Sequence, residues 1–169
     1  MEAKVSVIMG STSDLPVMEK ALRFLDEQHI AFEVSALSAH RTPSAVERYA
    51  RDAAGRGIKV IIAGAGMAAA LPGVIAANTS LPVVGVPIRG ASLDGVDALY
   101  SIVQMPPGVP VATVAIDGAL NAAVLAAEIL ALSDADVACR LQQYKASLAT
   151  KIERANDALA AVQYQHKTN

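Results

Sequence analysis

Ser38-Ala39-His40-Arg41-Thr42-Pro43 is the stretch of this chain with the most chemistry in it. A histidine beside an arginine puts a group that titrates near neutral pH next to a permanent cation. Arg41 can hold a phosphate through its two-pronged guanidinium, helped by the Ser38 hydroxyl. His40 can then pass a proton in either direction as a general acid or base. A second stretch, Gly10-Ser11-Thr12-Ser13-Asp14, joins a permissive backbone to three hydroxyls and one carboxylate just before a helix. Free N–H groups and hydroxyls at a helix start suit a phosphate or a sugar. Ordinary helix capping by Ser13 or Asp14 explains the same residues equally well.

A third stretch, Gly64 to Gly73, has no chargeable side chain. It can bring backbone N–H groups close to a planar ligand or a carboxylate, or it can serve tight helix–sheet packing. Gly64-Ala65-Gly66-Met67-Ala68-Ala69 formally fits a dinucleotide-binding pattern, but it follows the third strand. The acidic residue expected about 20 positions later to hold a ribose is also missing. A phosphorylatable receiver domain fits no better, because no acidic pair ends the first strand. His29 and His166 sit at a helix end and in the polar tail and read as solvated. With no carboxylate at ligand spacing, the histidines form no metal site. Cys139, the one cysteine, falls at a helix position and reads as a plain thiol.

These stretches need a scaffold. The 169 residues fit one domain, 53% hydrophobic and 4% aromatic, whose core must be built from Ala, Val and Ile. Short apolar runs alternate with helical periodicity. Strands are expected at Val5–Met9, about Ala31–Ser35, Lys59–Ala63, Pro82–Val86 and Val111–Ile116. Helices are expected between them: from Val17 to about Gln28, from Pro43 to Gly55, to about Asn78, and over Gly95–Val103. Two more, Asn121–Leu132 and a polar helix from Ala135 into the 160s, complete the chain. Alternation of this kind predicts a three-layer αβα sandwich with a central parallel sheet, flavodoxin- or Rossmann-like. The expected organisation is a single domain over 1–169, with an α/β core at 1–132 and a C-terminal helical extension at 133–169. Ligands bind such sheets at the carboxyl ends of the strands, which would gather the three stretches on one edge.

Net charge is −2, so no basic field attracts nucleic acid or an anionic membrane, and an anionic ligand must be held locally. The chain enters its first strand at once, and no apolar run approaches the ~20 residues that span a bilayer. A cytoplasmic protein with no nucleic-acid or membrane partner is expected. Ser92, Asp94 and Asp97 read first as helix caps, with site-rim or subunit-contact roles as alternatives. Met105 in a proline-rich loop is explained if it touches another subunit.

Taken together, these segments closely resemble the N5-carboxyaminoimidazole ribonucleotide mutases of purine biosynthesis, the class I catalytic subunits of phosphoribosylaminoimidazole carboxylase. The resemblance runs from about Val5 to Leu132. It rests on Val7-Ile8-Met9-Gly10-Ser11 with Ser13-Asp14, on Ser38 to Pro43, and on Ile61 to Gly66 with Leu71-Pro72-Gly73. Gly85-Val86-Pro87 and Ser101 to Pro106 also match. It implies a homo-octamer with no metal and no organic cofactor, acting on a small ribonucleotide. The family moves a carboxylate from the exocyclic nitrogen of its substrate to ring carbon C4. His40 then matches the general acid/base, and Ser11, Asp14, Ser38 and Arg41 match substrate-binding positions. Asp14 falls on the ribose hydroxyls, and Ser38 and Arg41 fall at the phosphate. Gly64, Ala65, Gly66 and Leu71 match the loop that encloses CO2. Two departures stand out: Ala70 where many bacterial members have histidine, and Asp117-Gly118-Ala119 where many have a longer Gly-Lys-Ala-Gly. A class II enzyme, which carboxylates aminoimidazole ribonucleotide with free CO2, carries Ser-Ala-His-Lys-Thr and Ala-Gly-Arg-Ser-Asn instead. A non-catalytic flavodoxin-like nucleotide-binding module is the remaining alternative.

Overall fold

Five runs of apolar residues pair into one sheet in the computed structural model, which describes residues 2–168. They are β1 (Val5–Met9), β2 (Phe32–Ala36), β3 (Val60–Gly66), β4 (Val83–Ile88) and β5 (Ala112–Thr113). The spatial order is β2-β1-β3-β4-β5, and every pair is parallel. Every residue of β1 and β4 is buried, as strands covered on both faces must be.

Alternation along the strands sends successive side chains to opposite layers. Val5, Val7, Val60, Ile62, Val84 and Val86 pack with α1 (Leu15–Glu27), α5 (Ala119–Ala131) and the start of α6 (Ala135–Ala160). Ile8, Ile61, Ala63 and Val83 face α2 (Pro43–Asp52), α3 (Leu71–Ala76) and α4 (Val96–Val103). On α5, Ala119, Ala122, Ala123, Ala126 and Ala127 are buried at helical spacing, and their short side chains let the helix lie close to the sheet and α1. The expected three-layer α/β sandwich is therefore the fold.

The element bounds differ where pairing overrides local preference. β3 runs past Ala63 to Gly66 because Gly64, Ala65 and Gly66 find hydrogen-bonding partners opposite Val86, Pro87 and Ile88. Edge strand β5 keeps only two residues of the six expected, paired with Val84 and Gly85. The third helix ends at Ala76, two residues short of Asn78, whose side chain turns back onto the Val74 carbonyl.

At the amino ends of β1 and β2 lies the one polar side chain, among the described residues, that is fully inside the core, Ser6. Its hydroxyl meets the Tyr49 hydroxyl at 2.8 Å. Tyr49, on α2, donates its proton to Glu33 on β2, so Ser6 is the donor to Tyr49. Arg56 completes the group, 3.0 Å from Glu33 and with its guanidinium 4.3 Å from the centre of the Tyr49 ring. Burial works against the charge on Glu33, yet the hydrogen bonds from Tyr49 and Arg56 outweigh it and hold this carboxyl below its ordinary 4.5. A carboxylate depressed in the folded state adds stability that is present above pH 4.5 and lost as pH falls through its folded value. Tyr49→Phe should strand the buried Ser6 donor and destabilise the protein by about 1–3 kcal/mol. Urea melts should show that loss at neutral pH and a shallower fall in stability below pH 4.5.

Candidate functional site

With this strand order the chain winds one way from β1 to β2 and the other way from β3 onward, leaving a crevice between β1 and β3 at their carboxyl ends. A cleft of about 690 Å³ occupies that position. Loops following β1, β2, β3 and β4 all contribute to it.

The loop after β1 is shaped by its own polar groups. Ser11 Oγ accepts the Ser13 N–H at 3.3 Å, and the Asp14 carboxylate accepts the Ser11 N–H at 3.2 Å. Ser11 and Asp14 cap the single turn Thr12–Asp14 reciprocally, whereas α1 itself begins without a side-chain cap, and Ser11, Ser13 and Asp14 all line the cleft. Burial raises the Asp14 carboxyl above the ordinary aspartate value. It does so against hydrogen bonds from Ser11, Ser13 and Gly10 and the charge of Arg41.

The loop after β2 hangs from β1 through the Leu37 N–H and the Met9 carbonyl, 2.9 Å apart. It closes on itself, with the Ser38 N–H on Thr42 Oγ1 at 3.0 Å and the Thr42 N–H on the Ser38 carbonyl at 2.8 Å. Pro43 then opens α2 from the first turn, where its missing N–H leaves no donor unpaired. Ser38 Oγ accepts from both the backbone N–H and Nε of Arg41, at 3.2 and 3.3 Å. Arg41 also reaches the Gly10 carbonyl at 3.2 Å, tying the second loop to the first. His40 stands exposed at the tip of this turn and lines the cleft beside Arg41.

The third wall is apolar. Ala65, Gly66, Met67, Ala68, Ala69, Ala70 and Leu71 line the cleft, with Ala69 and Leu71 sunk into the core as anchors. Met67 takes a left-handed backbone (φ +55°) and is 70% exposed. Gly64 is the expected site residue that does not line the cleft. It lies inside β3, where a Cβ would come within 2.5 Å of Met18 Sδ, and its carbonyl accepts the Gly10 N–H at 3.3 Å. Its part is to seat β1 and α1 beneath the site.

Sequence reasoning missed Arg89, which follows β4 and lines the far rim with Ile88 and Gly90. The available signal was its position, a cation directly after a buried strand on the edge already singled out. Arg89 pairs with Asp94 at 3.1 Å and Asp117 at 3.5 Å. Asp94 thus pairs with a cleft-lining arginine, and helix α4 starts from Gly95 with no side-chain cap, so the capping expectation for this stretch does not hold. Met105 packs within the chain, with its sulfur 3.1 Å from where a Cβ on Gly73 would lie, because the bare glycine on α3 leaves that space. His29 and His166 are exposed, as expected. Among the described residues no group of three or more His, Cys, Asp or Glu is placed to hold a metal. None of the helices described is long and apolar enough to cross a membrane.

Comparison with known proteins shows the family and agrees with the fold. Residues 4–151 match the AIR carboxylase family. An N5-carboxyaminoimidazole ribonucleotide mutase of Pyrococcus abyssi is 57% identical over 142 residues, covering 84% of this chain and 82% of that protein. One from Thermotoga maritima is 49% identical over 166 residues, covering 98% and 97%. A crystal structure of Treponema denticola PurE superposes with a TM-score of 0.83 at 31% identity, covering 93% of this chain and 98% of that one.

Gly64→Ala should destabilise the fold by about 1–3 kcal/mol by overpacking against Met18. In a Met18→Ala background the same change should cost less, leaving only the Ile88 methyl at 3.0 Å to give way. Equal losses in both backgrounds, measured in urea melts, would show that the two residues are not coupled.

Proposed function

We propose, for a chain that belongs to the AIR carboxylase family, that the cleft converts N5-carboxyaminoimidazole ribonucleotide to 4-carboxy-5-aminoimidazole ribonucleotide in purine biosynthesis. One observation carries the reading: His40 and Arg41, adjacent in one turn, share a cleft with Asp14 and an ionisable-free wall from Ala65 to Leu71. The relatives named as mutases support the choice of reaction.

Arg41 and Ser38 hold the phosphate, and Ser11 with Asp14 takes the ribose hydroxyls. His40 gives a proton to the exocyclic nitrogen as its bond to the carboxylate breaks, releasing CO2 and aminoimidazole ribonucleotide. The apolar wall keeps CO2 beside the ring, since none of its side chains can add to it or ionise. Carbon C4 attacks the CO2, and the ring proton lost from C4 returns to His40. One residue therefore both gives and regains one proton, and the sequence is redox-neutral. Ala70, where the resembled family has a histidine in many bacterial members, leaves His40 to work alone.

The wild-type protein should convert N5-carboxyaminoimidazole ribonucleotide without added bicarbonate. Activity seen only with aminoimidazole ribonucleotide plus CO2 would instead assign the direct carboxylase reaction, which the family's name also describes. His40→Asn should lower turnover by about 10²–10⁴-fold while ligand binding persists. Unchanged turnover in His40→Asn would mark His40 as outside the chemistry, whereas a wild-type protein that binds the ligand without turning it over would favour a binding module.

The same proposal includes self-association, to an octamer as the resemblance implies, and a cytoplasmic site of action, where a ribonucleotide pool would be met. Val137 and Leu141 on α6 are buried, and Tyr144 packs edge-on against Phe24 with ring centres 4.9 Å apart. Beyond them the same stripe continues through Leu148, Ile152 and Leu159, all exposed. We expect it to be covered by another subunit. Truncation before Leu148 should lower the number of subunits per particle measured by light scattering, and an unchanged number would sink the assembly role.

A further inference from the structure

We infer that Arg89 is a specificity residue at the far end of the cleft, recognising the carboxylate that distinguishes the carboxylated ribonucleotides from aminoimidazole ribonucleotide. The inference rests on the substrate reading above and extends it to a residue that neither the motifs nor the comparisons single out.

The argument begins with sheet order. Arg41 follows β2 and Arg89 follows β4, with β1 and β3 between them, so three strand spacings separate the two loops, roughly 14 Å. Both side chains line the cleft. A ribonucleotide with its phosphate at Arg41 and its ribose at the β1 loop lays its base across the β3 wall. Its base-bound carboxylate then points toward the β4 loop. The residues lining the β3 wall, Ala65 to Leu71, carry no side-chain cation. Arg89 is the cation at that end.

The way Arg89 is held suits this task. Asp117 accepts its backbone N–H at 2.9 Å and faces its Nε at 3.5 Å, and Asp117 is itself fixed by donating its N–H to the Pro87 carbonyl at 2.8 Å. Gly95, at φ +85°, folds the loop back so closely that a Cβ there would lie 3.1 Å from the Arg89 Cα. The remaining contact, from Nη1 to Asp94 at 3.1 Å, involves an aspartate whose side chain is 80% exposed. An ion pair that open to water is worth little. A substrate carboxylate can therefore displace Asp94 from Nη1 while Asp117 keeps the guanidinium in place. The flanking aspartates also partly neutralise Arg89. A fully exposed cation would grip the substrate carboxylate hardest before the reaction, opposing its departure as neutral CO2.

Calorimetric titration of Arg89→Met with 4-carboxy-5-aminoimidazole ribonucleotide and with aminoimidazole ribonucleotide tests this. Affinity for the carboxylated ligand should fall about tenfold or more, the weight of a lost charge-assisted hydrogen bond, while affinity for the uncarboxylated one holds. Asp94→Asn, at an exposed position, should tighten binding of the carboxylated ligand more than of the other. Equal losses for both ligands in Arg89→Met would assign Arg89 to rim structure alone and overturn the inference, as would no loss for either. Wild-type protein that binds neither ligand would sink the substrate reading itself, and the inference with it.

Discussion

The pairing of β1 with β3 sets the position of everything in the cleft. Met9 lies opposite Gly64, and one residue later the Gly10 N–H bonds the Gly64 carbonyl. Because Gly64 has no side chain, Met18 can fill the space beside it and α1 can sit low on the sheet. That places Ser11 and Asp14 at the helix entrance rather than above it. The second loop hangs from the same strand through Leu37 and Met9, and Arg41 returns to the Gly10 carbonyl. Two loops separated by a helix and a strand are thus referred to the adjacent carbonyls of Met9 and Gly10.

Charge in the cleft is arranged by contact rather than by the protein as a whole, whose net charge is slightly negative. Arg41 is held by the Ser38 hydroxyl and the Gly10 carbonyl, both neutral acceptors, so its charge stays available for an anion. Arg89 is flanked by Asp94 and Asp117, so its field is largely cancelled until a better partner arrives. Between the two lies a wall of alanine, glycine, methionine and leucine with no ionisable side chain. One strong and one moderated cation, set apart by an apolar surface, suit a ligand with a doubly charged end and a singly charged one.

Stability at the opposite end of the sheet serves the same site. Tyr49 pins α2 to β1 and β2 through Ser6 and Glu33, and Arg56 closes the group from the next turn. The first turn of that helix follows directly on His40 and Arg41. A helix fixed through a buried hydrogen-bond network at one end can hold an exposed histidine at the other with little loss of position. Exposure of His40 is then compatible with order.

Read alone, the residues determined the alternation of strands and helices, the layers, and the three loops that meet at one edge, because periodicity and glycine placement are local properties of the chain. Ser11, Asp14, Ser38, His40 and Arg41 were legible for the same reason, since each lies where a strand turns into a helix. Only the tertiary structure decided what pairing and packing control. The extension of β3 to Gly66 depends on partners in β4, and the shortness of β5 on its place at the sheet edge. Gly64 left the expected binding set because Met18, distant in sequence, occupies its missing side chain's place. Met105 likewise takes the space that a side chain on Gly73 would need. Arg89 entered the cleft because strand order sets β4 beside β3, and order within a sheet is a non-local property that no single segment encodes.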